Sequence, residues 1–185
     1  MTAPTRVTIE RHLDDAGVTE WWPVYEAAFS PMATRAAARH LLSPEEFAEE
    51  MADDRIMKLL AWDEAGQAVA MTTVATDLDA VAWISPAFYK TRFDEALGRD
   101  AIWYVGYTLA HPTARRTSAF VDMLDTLIDM LSTNSVTVGY DVSRFNDLSL
   151  KFANHLFERA RRVADLTAAE VDVQTYYTAT FSAKS

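Results

Sequence analysis

The stretch AIWYVGYTLAHPTARRTSAFVDML, residues 101–124, decides the predicted fold. Residues 101–110 are apolar at nearly every position, which is typical of a central strand that is covered on both faces. Apolar residues then recur at helical spacing, and this periodicity predicts a helix over residues 117–132. The stretch therefore indicates a buried strand that leads directly into an amphipathic helix.

Two arginines, Arg115 and Arg116, stand immediately before this helix. A helix N-terminus carries a partial positive charge, so cations are unfavourable there unless an anion offsets them. An anion bound to the backbone amides of the helix would make both arginines favourable, and guanidinium groups suit bidentate contact with phosphate. Thr117 and Ser118 can add hydroxyl donors to such a site. The alternative is that both arginines are loop residues that point to water.

Outward from this stretch, strands and helices continue to alternate. A strand over residues 135–142 and a helix over residues 146–162 follow it. Upstream, strands over residues 55–63 and 67–78 are joined by a short connection, which predicts a hairpin. This order predicts a mixed α/β sheet flanked by helices, with about six or seven strands. Further helices are predicted over residues 19–30, 31–42, 43–54 and 85–98, and further strands over residues 6–13 and 168–182.

Two of these helices carry recognisable start signals. Ser43 is followed by Pro44 at the first helical position and by Glu46 three residues after the serine, which is the pattern of a capping box. Pro23 is expected in the opening turn of its helix, where the missing N–H costs little. Both signals are local, so they predict helix starts without reference to the rest of the fold.

Composition excludes several classes of protein. The formal net charge of the 185 residues is −10, and so negative a surface repels phosphate backbones, which argues against a nucleic-acid partner. The chain has no cysteine, and its four histidines lack the spacing of metal ligands. We find neither an apolar run long enough to span a membrane nor a glycine-rich phosphate loop. We therefore expect a cytoplasmic, metal-free single domain over residues 1–185.

At this point the chain resembles the GNAT superfamily of acyl-CoA-dependent N-acyltransferases. The resemblance rests on the strand AIWYVGYTLA, the loop and helix HPTARRTSAFVDMLDTLIDML, the strand SVTVGYDV, Asn146, and the segment ANHLFE. In that family, a loop of the type Q/R-x-x-G-x-G/A opens the helix, and its backbone amides hold the pyrophosphate of coenzyme A. Two adjacent parallel strands separate, and the pantetheine arm lies in the gap between them.

The match to the family loop is partial. Arg115 stands at the Q/R position, whereas Ser118 and Phe120 replace the two small residues. Asn146 matches an asparagine that follows the next strand, and Phe157 replaces the family's tyrosine, so the hydroxyl that would protonate the thiolate is missing. The resemblance implies acetyl-CoA or another acyl-CoA as co-substrate. The cofactor-binding residues that it implies are Leu109, His111, Arg115, Arg116, Thr117, Ser118, Ala119, Phe120 and Asn146.

The residues that would perform the chemistry are not evident from the sequence. Acyl transfer to an amine needs a base for the amine's proton, yet the strand of residues 101–110 contains no carboxylate. Tyr104 and Tyr107 are an odd number of residues apart, so we expect them on opposite faces of the sheet. The catalytic residues therefore stay unassigned. The candidates are His111, Tyr104, Tyr107, Tyr140 and Asp141, each of which also has an ordinary structural explanation.

Two functions remain open. The favoured one is an N-acyltransferase that acts on a small-molecule or peptide amine, and the alternative is a catalytically inactive GNAT-like domain used for ligand binding or assembly. Core packing is expected for Trp21 or Trp22. Trp83 and the aromatic residues that follow it either pack in the core or line an acceptor pocket, and the sequence leaves both open.

The last predicted strand suggests a homodimer. Apolar side chains alternate along residues 168–182, and a terminal strand of this kind is often an unpaired sheet edge that invites a partner. We expect a homodimer in which residues 171–182 contribute to the interface. The alternative is a monomer in which this strand is paired within its own sheet.

Overall fold

The computed structural model describes residues 6–37, 41–111, 118–150 and 152–181. Within them, five strands form one sheet in the order β1-β2-β3-β4-β5. The first four strands are antiparallel neighbours, whereas β4 and β5 are parallel. The strands are β1 (Arg6–Glu10), β2 (Ile56–Trp62), β3 (Ala68–Ala75), β4 (Ile102–Ala110) and β5 (Thr137–Gly139).

Seven α-helices connect and flank these strands in the described part of the chain. Short 3-10 helices lie at Ser30–Thr34 and Leu78–Ala80. The α-helices are α1 (Asp15–Phe29), α2 (Pro44–Ala52), α3 (Pro86–Arg92), α4 (Asp94–Leu97), α5 (Ser118–Thr133), α6 (Arg144–Leu150) and α7 (Phe152–Ala160).

The β4-α5-β5 unit confirms the prediction made from residues 101–124. Strands β4 and β5 are parallel neighbours, with Ile102 opposite Thr137, and α5 lies between them in the chain. Helix α5 turns its apolar side to the sheet and buries Ala119, Met123 and Leu127. The mixed α/β fold class is therefore confirmed.

The sheet is covered on both faces, as the apolar composition of β2, β3 and β4 requires. Helix α5 covers one face, where it packs against β2 and β3. Helices α1 and α2 cover part of the other face with an aromatic cluster, and α3 and α4 cover the rest of it. Trp21 is 2% exposed within the α1–α2 cluster, which confirms core packing for this residue.

The capping box of α2 is confirmed in detail. The backbone N–H of Glu46 donates to Ser43 Oγ at 3.2 Å, and the backbone N–H of Ser43 donates to Glu46 Oε2 at 2.7 Å. These reciprocal bonds satisfy two of the donors that a helix start leaves free. Helix α1 begins earlier than predicted, at Asp15, because Asp14 caps it by accepting from the N–H of Gly17 at 2.9 Å. Pro23 therefore lies inside α1, and its predicted place in the opening turn is wrong.

A β-bulge interrupts the pairing of β3 with β4. The single residue Thr73 lies opposite two residues of β4, Gly106 and Tyr107. The backbone N–H of Tyr107 donates to Thr73 Oγ1 at 3.2 Å in place of a regular ladder bond. A Cβ atom on Gly106 would lie 2.5 Å from Thr73 Oγ1, so the absence of a side chain at this position permits the bulge.

The bulge makes one prediction wrong: Tyr104 and Tyr107 lie on the same face of the sheet. Tyr104 clusters with Ala75 of β3, and Tyr107 clusters with Met71. Ala75 and Met71 are four residues apart on β3, so they share a face. The extra residue in β4 shifts the alternation of side chains between the two faces by one position. Both tyrosines therefore point toward the face covered by α1, α2 and α3.

The predicted last strand is also wrong. Residues 165–181 form no regular secondary structure, and Val173, Tyr177 and Phe181 are exposed. Alternation alone does not make a strand, because a strand needs a hydrogen-bonded neighbour, and the described part of the chain supplies none for this segment. The described sheet consequently has five strands and not six or seven.

Several predicted helix and strand bounds need correction too. Among the described residues of the predicted helix over 31–42, namely 31–37 and 41–42, there is a 3-10 helix that ends at Thr34, so the helix propensity of alanine is overridden there. The predicted helix over 85–98 is divided between α3 and α4 at Phe93, which has φ −127° and ψ 52°. The predicted strand over 135–142 is shorter, Thr137–Gly139, and the helix over 146–162 comprises α6 and α7.

Candidate functional site

Strand β5 pairs over its whole length with the first three residues of β4. Their last paired residues are Tyr104 and Gly139, where β5 ends, whereas β4 continues to Ala110. Beyond Tyr104, the edge of β4 that faces away from β3 has no strand partner within the described residues. Backbone N–H and C=O groups on such an edge are available to an extended ligand. We call the space beside this unpaired edge of β4, beyond Tyr104 and Gly139, the gap.

The point of separation is tightly packed. A Cβ atom on Gly139 would lie 2.8 Å from carbon atoms of both Tyr104 and Tyr89. The rings of Tyr89 and Tyr104 meet edge to face, with their centroids 6.0 Å apart. Two aromatic side chains, one from α3 and one from β4, thus lie against the last residue of β5.

A hydrogen-bonded network crosses the start of the gap. The Tyr104 hydroxyl donates to Asp141 Oδ1 at 2.5 Å, and the same oxygen accepts from Trp83 Nε1 at 3.1 Å. Burial raises the pKa of the Tyr104 hydroxyl well above its usual value, and the Asp141 carboxylate raises it further. Tyr104 is therefore held as the neutral phenol and as a donor.

Helix α2 contributes a carboxylate to the same region. Glu50 borders a narrow cleft on the face of the sheet opposite α5, together with Thr73, Trp83, Tyr104 and Gly106. Burial raises the pKa of Glu50 to about 7, against the opposing effects of the Lys58 ammonium and a hydrogen bond with Thr73. This side chain therefore changes its protonation state near neutral pH.

Lys58 is the cation nearest to this carboxylate in the described chain. It lies in β2 and is fully buried, and its Nζ donates to the carbonyl oxygens of Arg11 at 2.8 Å and Asp53 at 3.0 Å. Burial lowers the pKa of Lys58 to about 8, although the charges of Glu50, Asp53 and Asp54 oppose that shift.

Six of the residues implied for coenzyme A, residues 115–120, immediately precede or begin α5 in the sequence. Arg115, Arg116 and Thr117 lie outside the described residues. Ser118 is the first residue of α5. The side chains of Ala119 and Phe120 pack in the core beneath the helix, so a phosphate there would meet only their backbone groups. Bulky Phe120 consequently does not fill the space in front of the helix.

The two implied residues of β4 and its end also have structural contacts. Leu109 is buried in the aromatic cluster under α1 and α2. The backbone N–H of His111 donates to the carbonyl of Val69 at 2.8 Å, which extends the β3–β4 ladder by one bond. Both residues therefore fix the end of β4, and any contact of Leu109 with a ligand would be through its backbone.

Asn146 lies in the first turn of α6, shortly after β5. Its backbone N–H donates to Ser143 Oγ at 3.2 Å, so Ser143 caps this helix while Asp141 is engaged by Tyr104. Phe157 of α7 packs edge to face against Tyr140, with ring centroids 6.1 Å apart. A phenol therefore lies next to the phenylalanine that replaces the tyrosine of the GNAT pattern.

Sequence reasoning missed Glu50 and Lys58, although both leave a trace in the sequence. Glu50 lies three residues after Phe47 and one before Met51, both fully buried, so it borders the apolar side of α2. Lys58 interrupts the apolar run IMKLLAW of β2. A charged residue inside such a run is unusual, because lysine is almost never fully buried without partners.

No cluster of three or more histidine, aspartate or glutamate side chains in the part of the chain that the structure describes is arranged to hold a metal ion. No helix within the described residues is long and apolar enough to cross a membrane.

Comparison with solved structures identifies the fold. An aminoglycoside acetyltransferase from an uncultured soil metagenomic sample, in complex with sisomicin, is 12% identical, with a TM-score of 0.53 over 95% of this chain and 97% of that one. A ribosomal-protein-alanine N-acetyltransferase from Brucella melitensis is 14% identical, with a TM-score of 0.53 over 94% and 99% of the two chains. An aminoglycoside N-acetyltransferase in complex with CoA is 11% identical, with a TM-score of 0.50 over 94% and 97%.

At the level of sequence, no protein-family model and no curated protein matches the chain. The structural similarity extends over nearly the whole length of each of these acetyltransferases. The chain therefore has the fold of the GNAT-type acetyltransferases, as its resemblance implied.

Proposed function

We propose that the chain is an acyl-CoA-dependent N-acyltransferase that acts on a small-molecule or peptide amine, with acetyl-CoA as the expected donor. The observation that carries this proposal is the gap that begins beyond Tyr104 and Gly139. An extended chain that enters this gap meets the unpaired edge of β4. Bound acyl-CoA would supply a thioester carbonyl there for attack by an amine.

The residues near the gap suit a nucleotide-bearing donor. Helix α5 has 16 residues, and Arg115 and Arg116 stand shortly before its start at Ser118 in the sequence. A helix of this length directs partial positive charge toward its N-terminus, and the two arginines add full charges. One protein of the same fold is described in complex with CoA, which further supports this co-substrate.

The acceptor that fits the site best is a cationic amine. Glu50 and Asp141 place two carboxyl groups near the start of the gap, and the Trp83 and Tyr104 rings lie beside them. Carboxylates and aromatic faces both attract ammonium groups. The net charge of −10 favours encounter with a cation. Sisomicin, which is bound to one protein of this fold, is an acceptor to test first.

Calorimetric titration with acetyl-CoA and two longer acyl-CoAs tests donor binding. We expect binding by the wild type and its loss in the double variant Arg115→Ala and Arg116→Ala. The adjacent pair Arg161 and Arg162, both exposed after α7, provides a control with the same change of charge. Loss of binding in both double variants would show a general charge effect and would contradict a specific role for the first pair.

Release of free CoA tests the transfer itself. The chain has no cysteine, so a thiol reagent reads only the CoA that is released and has no background from the protein. The acceptors are sisomicin and a peptide that begins with alanine, chosen from the proteins of the same fold. Acceptor-dependent release with an acetylated product detected by mass spectrometry supports the enzyme.

One observation favours the alternative, a catalytically inactive domain that binds a ligand. Phe157 packs against Tyr140 and has no hydroxyl to protonate a leaving thiolate. Donor binding without any acceptor-dependent release of CoA would support this alternative. An absence of donor binding would contradict the proposed enzyme and leave the alternative, a domain that binds another ligand or serves in protein assembly.

We also propose a homodimer, a cytoplasmic location and a single domain over residues 1–185. Within residues 171–182, Tyr177 is 89% exposed and Phe181 is 93% exposed, and such apolar groups favour burial against a second copy. Light scattering on the wild type and on Tyr177→Asp tests the dimer. A monomeric wild type at tens of micromolar, or a dimer unchanged by Tyr177→Asp, would contradict it.

A further inference from the structure

We propose that Glu50 is the catalytic residue that removes a proton from the acceptor ammonium before acyl transfer. This inference rests on the proposed function and assigns a role that no carboxylate of β4 can fill, since β4 contains none. The base would therefore come from helix α2, across the face of the sheet opposite α5.

The step is a single proton transfer. A carboxylate oxygen of Glu50 takes one proton from the ammonium group of the acceptor, so that one N–H bond breaks and one O–H bond forms. The nitrogen keeps the electron pair of the broken bond and becomes a neutral amine, which can act as a nucleophile. The Glu50 carboxylic acid then returns the proton to solvent, and the charge of the protein is restored.

Geometry supports this role because β4 lines both the cleft and the gap. Tyr104 and Gly106 border the cleft beside Glu50, and Tyr104 is also the last residue of β4 that pairs with β5. The cleft has a volume of about 10 Å³, enough for one water molecule. An amine at its mouth would lie beside β4 at the position where the gap begins and would reach Glu50 directly or through one water molecule. Thr73 occupies the place that a side chain at Gly106 would take, so backbone atoms of β4 line the cleft at this residue.

The groups around Glu50 have opposing effects on its pKa, so that both its carboxylate and its carboxylic acid are populated near neutral pH. Burial disfavours the carboxylate, whereas Lys58 and Thr73 favour it. With its pKa raised to about 7, Glu50 is a stronger base than an exposed glutamate and is still ionised in an appreciable fraction at neutral pH. The polar and charged groups that face it are Lys58 of β2, Asp53 after α2, Thr73 of β3, and Tyr104 and Tyr107 of β4.

The principal experiment compares pH–rate profiles of the wild type, Glu50→Gln and Glu49→Gln. The donor is acetyl-CoA, and the acceptor is whichever of sisomicin and the alanine peptide the wild type acetylates faster. Glu49 is exposed on the same helix, so its variant removes the same charge outside the cleft. We expect kcat/KM of Glu50→Gln to fall by about 100-fold or more at pH 8, as for loss of a general base. We expect Glu49→Gln to match the wild type.

A second variant tests the control of Glu50 by its neighbour. Lys58→Met removes the cation that favours the Glu50 carboxylate, so the acid limb of the profile should move to higher pH. The same shift should be seen without donor or acceptor, as a raised titration midpoint of the Glu50 carboxyl carbon in the NMR spectrum. If Glu50 had only a structural role, the acid limb of the pH–rate profile would not shift together with the NMR titration midpoint of Glu50.

The outcomes separate this inference from the proposed function. An acetylating wild type whose rate and pH profile survive Glu50→Gln would overturn the role of Glu50 and leave the acyltransferase standing. A wild type that acetylates neither amine would overturn both. A Glu50→Gln variant with normal circular dichroism, unchanged donor binding and a lost acid limb supports the inference. The inference would also be overturned if Lys58→Met raised the titration midpoint of the Glu50 carboxyl carbon but left the acid limb of the pH–rate profile at the same pH.

Discussion

The hydroxyl of Tyr104 donates to the carboxylate of Asp141 at 2.5 Å, and this bond joins β4 to the segment that follows β5. The pairing of the two strands stops at Tyr104 and Gly139, where β5 ends. Asp141 also accepts from Trp83 Nε1, so a single oxygen holds three chain segments together. The gap therefore begins at a fixed point.

Tyr104→Phe should loosen the start of the gap. The variant removes the donor to a charged acceptor but leaves the ring in the core, so we expect a loss of about 1–2 kcal/mol in the free energy of unfolding. Urea denaturation measures it. Asp141→Asn keeps an acceptor at the same place and should cost less. Equal stability of Tyr104→Phe and wild type would show that the bond contributes nothing in solution.

Gly106→Ala should destabilise the β-bulge. The new Cβ would lie 2.5 Å from Thr73 Oγ1, and overpacking of this kind costs about 1–3 kcal/mol. Thermal and urea unfolding of the variant provide the measurement. Thr73→Ala removes the oxygen that the new Cβ would meet, so the double variant should be more stable than the sum of the two single effects. If the effects of the two single variants on the free energy of unfolding simply added in the double variant, the strain in Gly106→Ala would not come from contact with Thr73.

Tyr107→Phe should stabilise the chain. The Tyr107 hydroxyl is buried and is the one buried side-chain polar atom of the described residues without a hydrogen-bond partner. An unsatisfied buried hydroxyl costs about 1–3 kcal/mol, and its replacement by hydrogen leaves the stacked ring in place. We expect the variant to unfold at a higher urea concentration, with an unchanged dependence of the free energy of unfolding on urea concentration. A lowered midpoint would mean that the hydroxyl has a partner in solution, such as a bound water molecule.

The stability of the chain should depend on pH through Glu50. Its pKa is about 7 in the folded state against an ordinary value of 4.5. Between these values the unfolded chain has lost the proton and the folded chain keeps it, so the free energy of unfolding falls as pH rises from 4.5 to 7. The full effect is at most about 3.5 kcal/mol, at about 1.4 kcal/mol for each pKa unit.

Glu50→Gln isolates that dependence. The variant and the wild type should have similar stability near pH 4.5, and the variant should become the more stable one by pH 7.5. Lys58 stays charged over this window because its pKa is about 8, although it begins to titrate at the upper end. A constant difference between wild type and variant over the whole window would contradict the raised pKa.

Local signals account for what the sequence determined by itself. The capping box at Ser43 and Glu46 joins residues three apart, so its hydrogen bonds need no other part of the fold. The β4-α5-β5 unit follows from apolar periodicity in two adjoining segments, since a parallel pair requires a covered crossover and the helix provides it. Both features were predicted correctly because short-range geometry and burial decide them.

Contacts between distant segments decided the rest. The bulge that brings Tyr104 and Tyr107 to one face depends on how β4 meets Thr73, more than 30 residues away, and alternation within β4 cannot reveal it. The carboxylate beside the gap comes from Glu50 on α2, which no inspection of β4 itself could find. Conversely, residues 165–181 alternate like a strand but have no described neighbour to pair with. Register, facing and pairing are properties of two chain segments together, so only the tertiary structure determines them.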